Sequence, residues 1–234
     1  MFGWFKKKRS VPTPLQAVFV SETGLVRTDN QDNVLVSVNH GVFCVADGMG
    51  GGAEGAKASD VVCRELKMTI HVAEDEYSSR VAAAQNALVD ANFEVYTYAR
   101  ERGFEQMGST AAVLVFDPAD HSRAAVIHVG DSRVYRIRHG LAERLTRDHR
   151  ILGGNTLTRA IGGMATVRCD FKEVDVRPGD RFVVCSDGVS GVMTDARLAV
   201  FASGGTIETA AERIAGEVVK AGAPDNYSFV LVSA

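Results

Sequence analysis

The sequence predicts an α+β fold built from layered, mainly antiparallel sheets. Strand-like segments follow one another in runs, and pairs of helical segments interrupt those runs. Strict alternation of strands and helices would instead indicate a parallel sheet. The 234 residues contain no long polar or proline-rich stretch, so one domain with a continuous core is expected.

The first half of the chain contains a predicted hairpin followed by two long helices. The strand-like runs cover residues 15–20, 33–38 and 41–46. The residues Asn39-His40-Gly41 between the last two runs predict a hairpin connection. Segments 53–71 and 78–102 are rich in Ala, Glu, Lys and Arg and repeat apolar residues every three or four positions, which predicts helices.

The second half returns to strands and adds a second helix pair. The predicted strands cover residues 109–116, 124–129, 133–138, 169–176, 181–186 and 227–232. Turns are expected at Asp117-Pro118 and His139-Gly140. Two helices are expected to begin near Thr194 and Thr206, because a threonine side chain can cap the first turn of a helix.

Charge and composition disfavour several classes of function. The 26 basic and 29 acidic residues are scattered, which argues against nucleic acid as a partner. The basic run Lys6–Arg9, preceded by three aromatic residues, predicts a solvated tail over residues 1–10, with contact to an anionic membrane as the alternative. The folded domain is then expected over 11–234. No apolar stretch of ~18 residues and no signal peptide is found, so no transmembrane segment and a cytoplasmic location are expected.

The four cysteines stand singly, with no Cys-x-x-Cys pair. A zinc site or a set of disulfides would require paired spacing, so reduced and mostly buried thiols are expected. The cysteines are Cys44, Cys63, Cys169 and Cys185.

Aspartates at strand ends are the main chemical signal. Asp47, Asp131 and Asp187 each follow a predicted strand, and Asp225 precedes the last one. Each alone is more typical of a turn. Together they could meet at one sheet edge, where several carboxylates would repel one another unless a cation were bound. Oxygen ligands without a His or Cys pair favour Mg²⁺ or Mn²⁺ over zinc.

Seven ordered motifs resemble those of the PP2C-like (PPM) metal-dependent serine/threonine protein phosphatases, and the bacterial type in particular. The motifs are Val26-Arg27-Thr28-Asp29-Asn30-Gln31-Asp32, Asp47-Gly48-Met49-Gly50-Gly51, Gly108-Ser109-Thr110, Val129-Gly130-Asp131-Ser132-Arg133, Leu145-Thr146-Arg147-Asp148-His149, Ser186-Asp187-Gly188 and Asp225-Asn226. The resemblance extends from about Gly24 to Val232. It implies an α-β-β-α sandwich of two mainly antiparallel sheets flanked by helix pairs.

The resemblance also implies a set of metal ligands. Asp47 would bridge two divalent cations, Mn²⁺ or Mg²⁺. The carbonyl of Gly48 would bind one of them, and Asp187 and Asp225 would complete the protein ligands of that ion. Asp32 would help to hold the waters on the metals.

The implied reaction is hydrolysis of phosphoserine and phosphothreonine. Two cations can lower the pKa of a bridging water from about 15.7 towards 7, which supplies a hydroxide nucleophile. Arg27 resembles the arginine that binds phosphate in the family, and a guanidinium suits that task. Asp131, with Asp187, resembles a site for a weaker third cation. A phosphorylated protein would be the substrate and a serine/threonine kinase system its counterpart.

Three departures from the family pattern bear on function. Gln31 stands where many relatives have Glu; its carbonyl could still orient a metal-bound water, but it brings no charge, which predicts a weaker second cation. Met49 stands where eukaryotic relatives have a histidine proposed as general acid, and a thioether cannot donate a proton. His128 and His149 are weak candidates for that role, and a structural role is favoured for each. Only residues 150–155 separate Asp148-His149 from Thr156, so a shortened flap and an open cleft are expected.

Two other functions remain compatible with the sequence. One is a catalytically weak or silent module that binds a phosphorylated partner, although such a module would be expected to lose metal ligands. The other is a phosphatase of small-molecule phosphoesters.

Overall fold

The computed structural model describes residues 14–73, 76–151, 154 and 156–234. The tail predicted over residues 1–10 lies outside these described residues. Within them the chain forms eleven strands, five α-helices and one turn of 3-10 helix (Val38–His40). The strands are β1 (Gln16–Glu22), β2 (Asp32–Ser37), β3 (Val42–Met49), β4 (Gly108–Ser109), β5 (Ala111–Phe116), β6 (Arg123–Val129), β7 (Arg133–Arg138), β8 (Leu141–Arg144), β9 (Asp170–Asp175), β10 (Arg181–Cys185) and β11 (Tyr227–Ser233). The helices are α1 (Gly52–Val72), α2 (Tyr77–Arg102), α3 (Asp187–Ser190), α4 (Asp195–Ala202) and α5 (Ile207–Lys220).

Two antiparallel sheets lie between two helix pairs. The first sheet has the order β1-β11-β10-β7-β8, and the second has the order β2-β3-β5-β6-β9 with β4 paired to β3. Strands β5 and β6 of the second sheet share an apolar layer with α1 and α2. Strands β10 and β11 of the first sheet share another with α4 and α5. The predicted α-β-β-α sandwich is therefore confirmed.

A third apolar layer joins the two sheets face to face. Its centre is formed by Phe116, whose ring meets Phe43 and Phe182 edge-on at centroid distances of 5.9 and 5.4 Å. Edge-on contacts of this kind stabilise aromatic pairs beyond the area that they bury. Every second residue of a strand faces this layer. At the end of a strand, the next residue on the same face therefore also faces the space between the sheets.

Strand register brings several chain ends to one edge of this intersheet space. Asp32 at the start of β2 is paired with Asp47 near the end of β3. In the first sheet, Cys185 at the end of β10 is paired with Phe229 near the start of β11. Because all pairings are antiparallel, strand starts and strand ends alternate along this edge, where the candidate site lies.

Three local differences from the sequence prediction have clear causes. Strand β3 does not end at residue 46, because Gly48 and Met49 pair with β4; Asp47 is therefore inside a strand rather than after one. The predicted run 109–116 is divided between β4 and β5. The exposed edge strand β8 and the four-residue helix α3 were not predicted, since neither has an apolar repeat long enough to be recognised.

The expectations about helix capping and about the cysteines are confirmed. Thr194 and Thr206 cap α4 and α5, each accepting a hydrogen bond from the backbone N–H three residues later. The cysteines are free, and all but the half-buried Cys169 are buried. Among the helices in the described ranges, none combines the length and the apolar character needed to cross a bilayer.

Candidate metal centre

A cleft of about 610 Å³ opens where the two sheets meet at this edge. It brings together most of the residues singled out in the sequence. Its lining includes Arg27, Asp47, Gly48, Asp131, Asp187 and Asp225. Asp32 lies beside them, 8 % exposed. The structure thus places all the sequence-predicted site residues together, although their roles as ligands stay a prediction.

Asp32 and Asp47 form the inner part of the cluster. They are directly opposite each other in the β2–β3 pair, an arrangement that is unfavourable for two like charges. The Ser186 hydroxyl donates a hydrogen bond to Asp32 Oδ2 at 2.7 Å. Asp32 Oδ1 is buried and has no hydrogen-bond partner among the described residues. A buried carboxylate oxygen without a partner is costly unless a cation or ordered water binds it.

Burial and mutual repulsion raise the pKa values of the cluster. Burial, opposed by the Ser186 hydrogen bond, raises the pKa of Asp32 to about 6. Burial, then Asp32 and Asp187, raise the pKa of Asp47 well above its usual range. Burial and the neighbouring Asp225 raise the pKa of Asp187, and burial with Asp187 raises the pKa of Asp131 to about 6. The nearby arginines therefore do not offset the negative charge of the cluster, and its all-oxygen donor set fits a hard divalent cation.

Thr110 holds the backbone of Asp47, and Ser132 in turn contacts Thr110. Thr110 accepts a hydrogen bond from the Asp47 N–H through Oγ1 at 2.9 Å and donates its own N–H to the Asp47 carbonyl at 2.8 Å. Ser132 lies 2.7 Å from Thr110 Oγ1, hydroxyl to hydroxyl. Sequence reasoning placed Thr110 and Ser132 in motifs but gave them no role, because the bonds join segments far apart in the chain.

Asn226 ties the last strand to the loop before β2. Its Oδ1 accepts from the Gln31 N–H at 2.9 Å, and its Nδ2 donates to the carbonyls of Thr23 and Asp29 at 2.8 Å each. This amide fixes Asp225 relative to the loop that bears Arg27. The motif Asp225-Asn226 marks this position in the sequence, but the sequence predicted a role for Asp225 alone.

Gly188 permits a close approach of two chain segments in this region. A Cβ built on Gly188 would lie 1.9 Å from the Asn226 carbonyl oxygen, so any side chain would push Asp187 away from Asp225. We expect Gly188→Ala to lower the free energy of unfolding by about 1–3 kcal/mol and to weaken Mn²⁺ binding. Thermal unfolding with and without Mn²⁺ measures both effects.

Gly216 supplies the matched control for this substitution. It lies within α5, and a Cβ built there meets, apart from the adjacent helix backbone, no atom of the described residues within 4 Å. Gly216→Ala is expected to leave Mn²⁺ binding unchanged and to stabilise the helix by up to about 1 kcal/mol. Equal behaviour of the two variants would show that the Gly188 contact has no importance for the site.

The Gln31 side chain connects Gly48 to the start of α1. Its orientation is assigned from its hydrogen-bond partners: the amide nitrogen donates to the Gly48 carbonyl at 3.0 Å, and the amide oxygen accepts from the Gly52 N–H at 2.9 Å. The sequence suggested that the Gln31 carbonyl would orient a water on a metal. In the structure that oxygen accepts its hydrogen bond from helix α1. The NH₂ group donates to the Gly48 carbonyl, which is a predicted metal ligand.

This contact strengthens a prediction about metal affinity. Gln31→Glu removes the donor that competes for the Gly48 carbonyl, adds a negative charge and keeps the acceptor for the Gly52 N–H. We expect the Mn²⁺ concentration for half-maximal activity to fall by about tenfold. Without metal, the variant should be less stable, since the carboxylate then faces the Gly48 carbonyl oxygen.

A metal titration of phosphate release tests this expectation. The control is Gln106→Glu, because Gln106 lines the same cleft without a described bond to Gly48. An unchanged titration for Gln31→Glu, or an equal shift for both variants, would refute the role of Gln31.

His128 and His149 lie beside the cleft and not in its lining. His149 holds Gly130, the residue before Asp131. Its backbone N–H donates to the Gly130 carbonyl at 2.8 Å, and its side-chain Nδ1 accepts from the Gly130 N–H at 3.1 Å. The proton of a neutral His149 is therefore on Nε2, which lies 3.0 Å from Asp170 Oδ2. His128, His149 and Asp170 bring potential ligand atoms within 4.8 Å of one another, but this proton opposes metal binding at Nε2. A structural role, the favoured alternative, agrees with these contacts.

Comparisons with known proteins agree in pointing to one family of phosphatases. A family model described as protein phosphatase 2C matches residues 24–219. The serine/threonine protein phosphatase PstP of Mycobacterium tuberculosis is 29% identical over 231 residues, which cover 90% of this chain. The chain spans only 43% of the length of that relative.

Solved structures show the same fold. PppA, described as a key regulatory component of T6SS in Pseudomonas aeruginosa, superposes with a TM-score of 0.90 at 31% identity, covering 95% of this chain and 99% of that one. The catalytic domain of the phosphatase PstP in complex with two manganese ions superposes with a TM-score of 0.81 at 27% identity, covering 94% and 97% of the two chains.

Proposed function

The chain belongs to the protein phosphatase 2C family, and we propose that it is a metal-dependent protein phosphatase that hydrolyses phosphoserine and phosphothreonine. The observation that supports this most directly is the cluster of buried aspartates around Asp47, whose negative charges repel one another. A silent binding module would have no need to keep such a cluster, because the carboxylates destabilise the protein in the absence of cations.

The residues present fit two divalent cations. We propose that Asp47 would help to hold both ions, that the Gly48 carbonyl, Asp187 and Asp225 would hold one of them, and that Asp32 would help to hold their waters. When bound, the cations generate a nucleophile from water at neutral pH and offset negative charge on the phosphoryl oxygens. The two manganese ions of the PstP catalytic domain support this assignment.

Residues of the chain would orient the substrate. Arg27 stands at the rim of the cleft, where its Nη2 donates to Asp225 Oδ2 at 2.8 Å, and its side chain is 54% exposed. A guanidinium in this position can bind phosphoryl oxygens with its remaining N–H groups. Met49 lines the cleft but has no proton to donate, so the proton for the leaving oxygen must come from water or from another residue.

We propose a phosphorylated protein as the substrate, in keeping with the names of the relatives. Thr156 and Leu157, on the far side of the short segment 150–155, reach the cleft lining. The shortness of this segment in the sequence supports weak discrimination among peptide sequences. The opposing kinase and a cytoplasmic location stay predictions.

The decisive assay measures phosphate release from a phosphothreonine peptide and an aryl phosphate, with Mn²⁺, with Mg²⁺ and with chelator, alongside Asp187→Asn. We expect activity on both substrates with either metal, and none after chelation or substitution. Activity that survives both treatments would refute the metal-dependent mechanism. Hydrolysis of the aryl phosphate alone would instead indicate a phosphatase of small molecules.

A further inference from the structure

Arg150 is fixed at the edge of the cleft by the chain around it. It is the first residue of the short segment 150–155, and its backbone forms an isolated β-bridge with Leu157. The adjacent Ile151 N–H donates to the Thr156 carbonyl at 3.0 Å. Since Thr156 and Leu157 line the cleft, this backbone pairing places the Arg150 side chain, which is 35% exposed, against the aspartate cluster.

The guanidinium of Arg150 lies between two aspartates. Its Nε is 3.4 Å from Asp148 Oδ2, and its Nη1 is 4.0 Å from Asp131 Oδ2. Asp131 and Asp187 line the same cleft. One fixed positive charge therefore lies beside Asp131 at the position where a further cation would bind.

Asp148 does not neutralise Arg150, because it already has other partners. Arg133 binds Asp148 with two parallel hydrogen bonds, Nε to Oδ1 at 2.9 Å and Nη2 to Oδ2 at 2.7 Å. Arg144 approaches the same carboxylate at 3.6 Å. A single carboxylate thus faces three guanidinium groups, and the excess positive charge is directed towards Asp131.

We propose that Arg150 is a built-in counter-ion for Asp131 that weakens the binding of any additional divalent cation beside Asp131 and Asp187. The proposal rests on the proposed function for the position of the two main cations. A guanidinium a few ångströms from a dication repels it, and even with water-like screening this repulsion lowers affinity by about tenfold. The enzyme would then need two cations, with Arg150 supplying positive charge where a third could bind.

The test is a Mn²⁺ titration followed by the electron paramagnetic resonance signal of free Mn²⁺, which counts bound ions without reference to activity. We compare the wild-type protein with Arg150→Gln, Arg150→Lys and Arg144→Gln. Arg150→Gln is expected to tighten the weakest site by about tenfold. Arg150→Lys keeps the charge and should retain weak binding. Arg144→Gln removes an equal charge from the same Asp148 cluster and should leave that site unchanged.

A double variant locates the effect. Adding Asp131→Asn to Arg150→Gln should abolish the gain in Mn²⁺ affinity. An unchanged weakest site in Arg150→Gln would overturn the counter-ion role, as would equal tightening in Arg144→Gln. A raised KM for phosphopeptide without any change in Mn²⁺ binding would show that Arg150 contacts substrate instead. A wild-type protein that binds fewer than two Mn²⁺ ions would overturn the proposed function.

Discussion

Asp47→Asn is expected to abolish phosphatase activity and, at the same time, to stabilise the metal-free protein. Asparagine keeps the shape of the side chain but removes the charge that we assign to both cations, so activity with Mn²⁺ should fall on the order of 10³-fold or more. Without metal, the wild-type carboxylate is buried among other aspartates that raise its pKa. Removing that charge relieves the repulsion and should raise the unfolding temperature.

Thermal unfolding in chelator and in Mn²⁺ separates the two effects. Mn²⁺ should stabilise the wild-type protein in proportion to the logarithm of its concentration and should hardly change Asp47→Asn. The control is Asp90→Asn, because Asp90 is exposed on α2, away from the cleft. A variant that keeps both activity and Mn²⁺-dependent stabilisation would show that Asp47 is not the shared ligand.

The burial of the aspartates, together with their mutual repulsion, predicts how pH affects the metal-free protein. The pKa values of Asp32 and Asp131 are raised to about 6, above the value of about 4 of an unfolded chain. The folded state therefore binds more protons, and this contribution to stability is complete below about pH 4 and is lost as the pH rises through 6. We expect the chelated protein to unfold at a lower temperature at pH 7.5 than at pH 5.5.

Saturating Mn²⁺ should reverse this dependence, because metal binding requires ionised carboxylates and releases protons. The stabilisation by Mn²⁺ should therefore be greater at pH 7.5 than at pH 5.5. Scanning calorimetry at both pH values measures it. An unfolding temperature of the chelated protein that does not depend on pH in this range would contradict the raised pKa values.

Local sequence patterns predicted the elements that bury an apolar face and have a clear beginning. Helices α4 and α5 begin after the capping residues Thr194 and Thr206, because capping is a local interaction. The length of β3 could not be predicted in this way. Its last two residues become a strand only by pairing with Gly108 and Ser109, about sixty positions away.

The candidate site shows the same difference between local features, which the sequence predicts, and contacts between distant segments, which it does not. Individual aspartates were recognisable from their motifs, but the direct opposition of Asp32 and Asp47 depends on strand register. The contact between the Gln31 amide and the Gly48 carbonyl, and the approach of Arg150 to Asp131, depend on how loops fold over the sheet edge. Such contacts alter metal affinity, so the residue types alone could not predict how strongly each cation binds.

The other large effect is expected at Arg27. Arg27→Lys keeps a positive charge but removes the planar set of N–H donors, and we expect kcat/KM to fall by about 10–100-fold. Most of the change should be in KM and in weaker inhibition by inorganic phosphate, because the phosphoryl oxygens are bound in both the ground state and the transition state. Mn²⁺ binding should change little, since the Arg27–Asp225 pair is exposed.

Arg197 allows the two roles of Arg27 to be distinguished. Like Arg27, it is an exposed arginine in an ion pair, with its partner Glu217 and a side chain that is 57% exposed. Arg197→Lys should leave kcat/KM unchanged. If Arg27 served only as a surface ion pair, Arg27→Lys would behave in the same way, and phosphate would inhibit both variants equally. A selective loss of phosphate inhibition in Arg27→Lys would assign the guanidinium to the substrate, because an ion pair with Asp225 alone has no reason to respond to free phosphate.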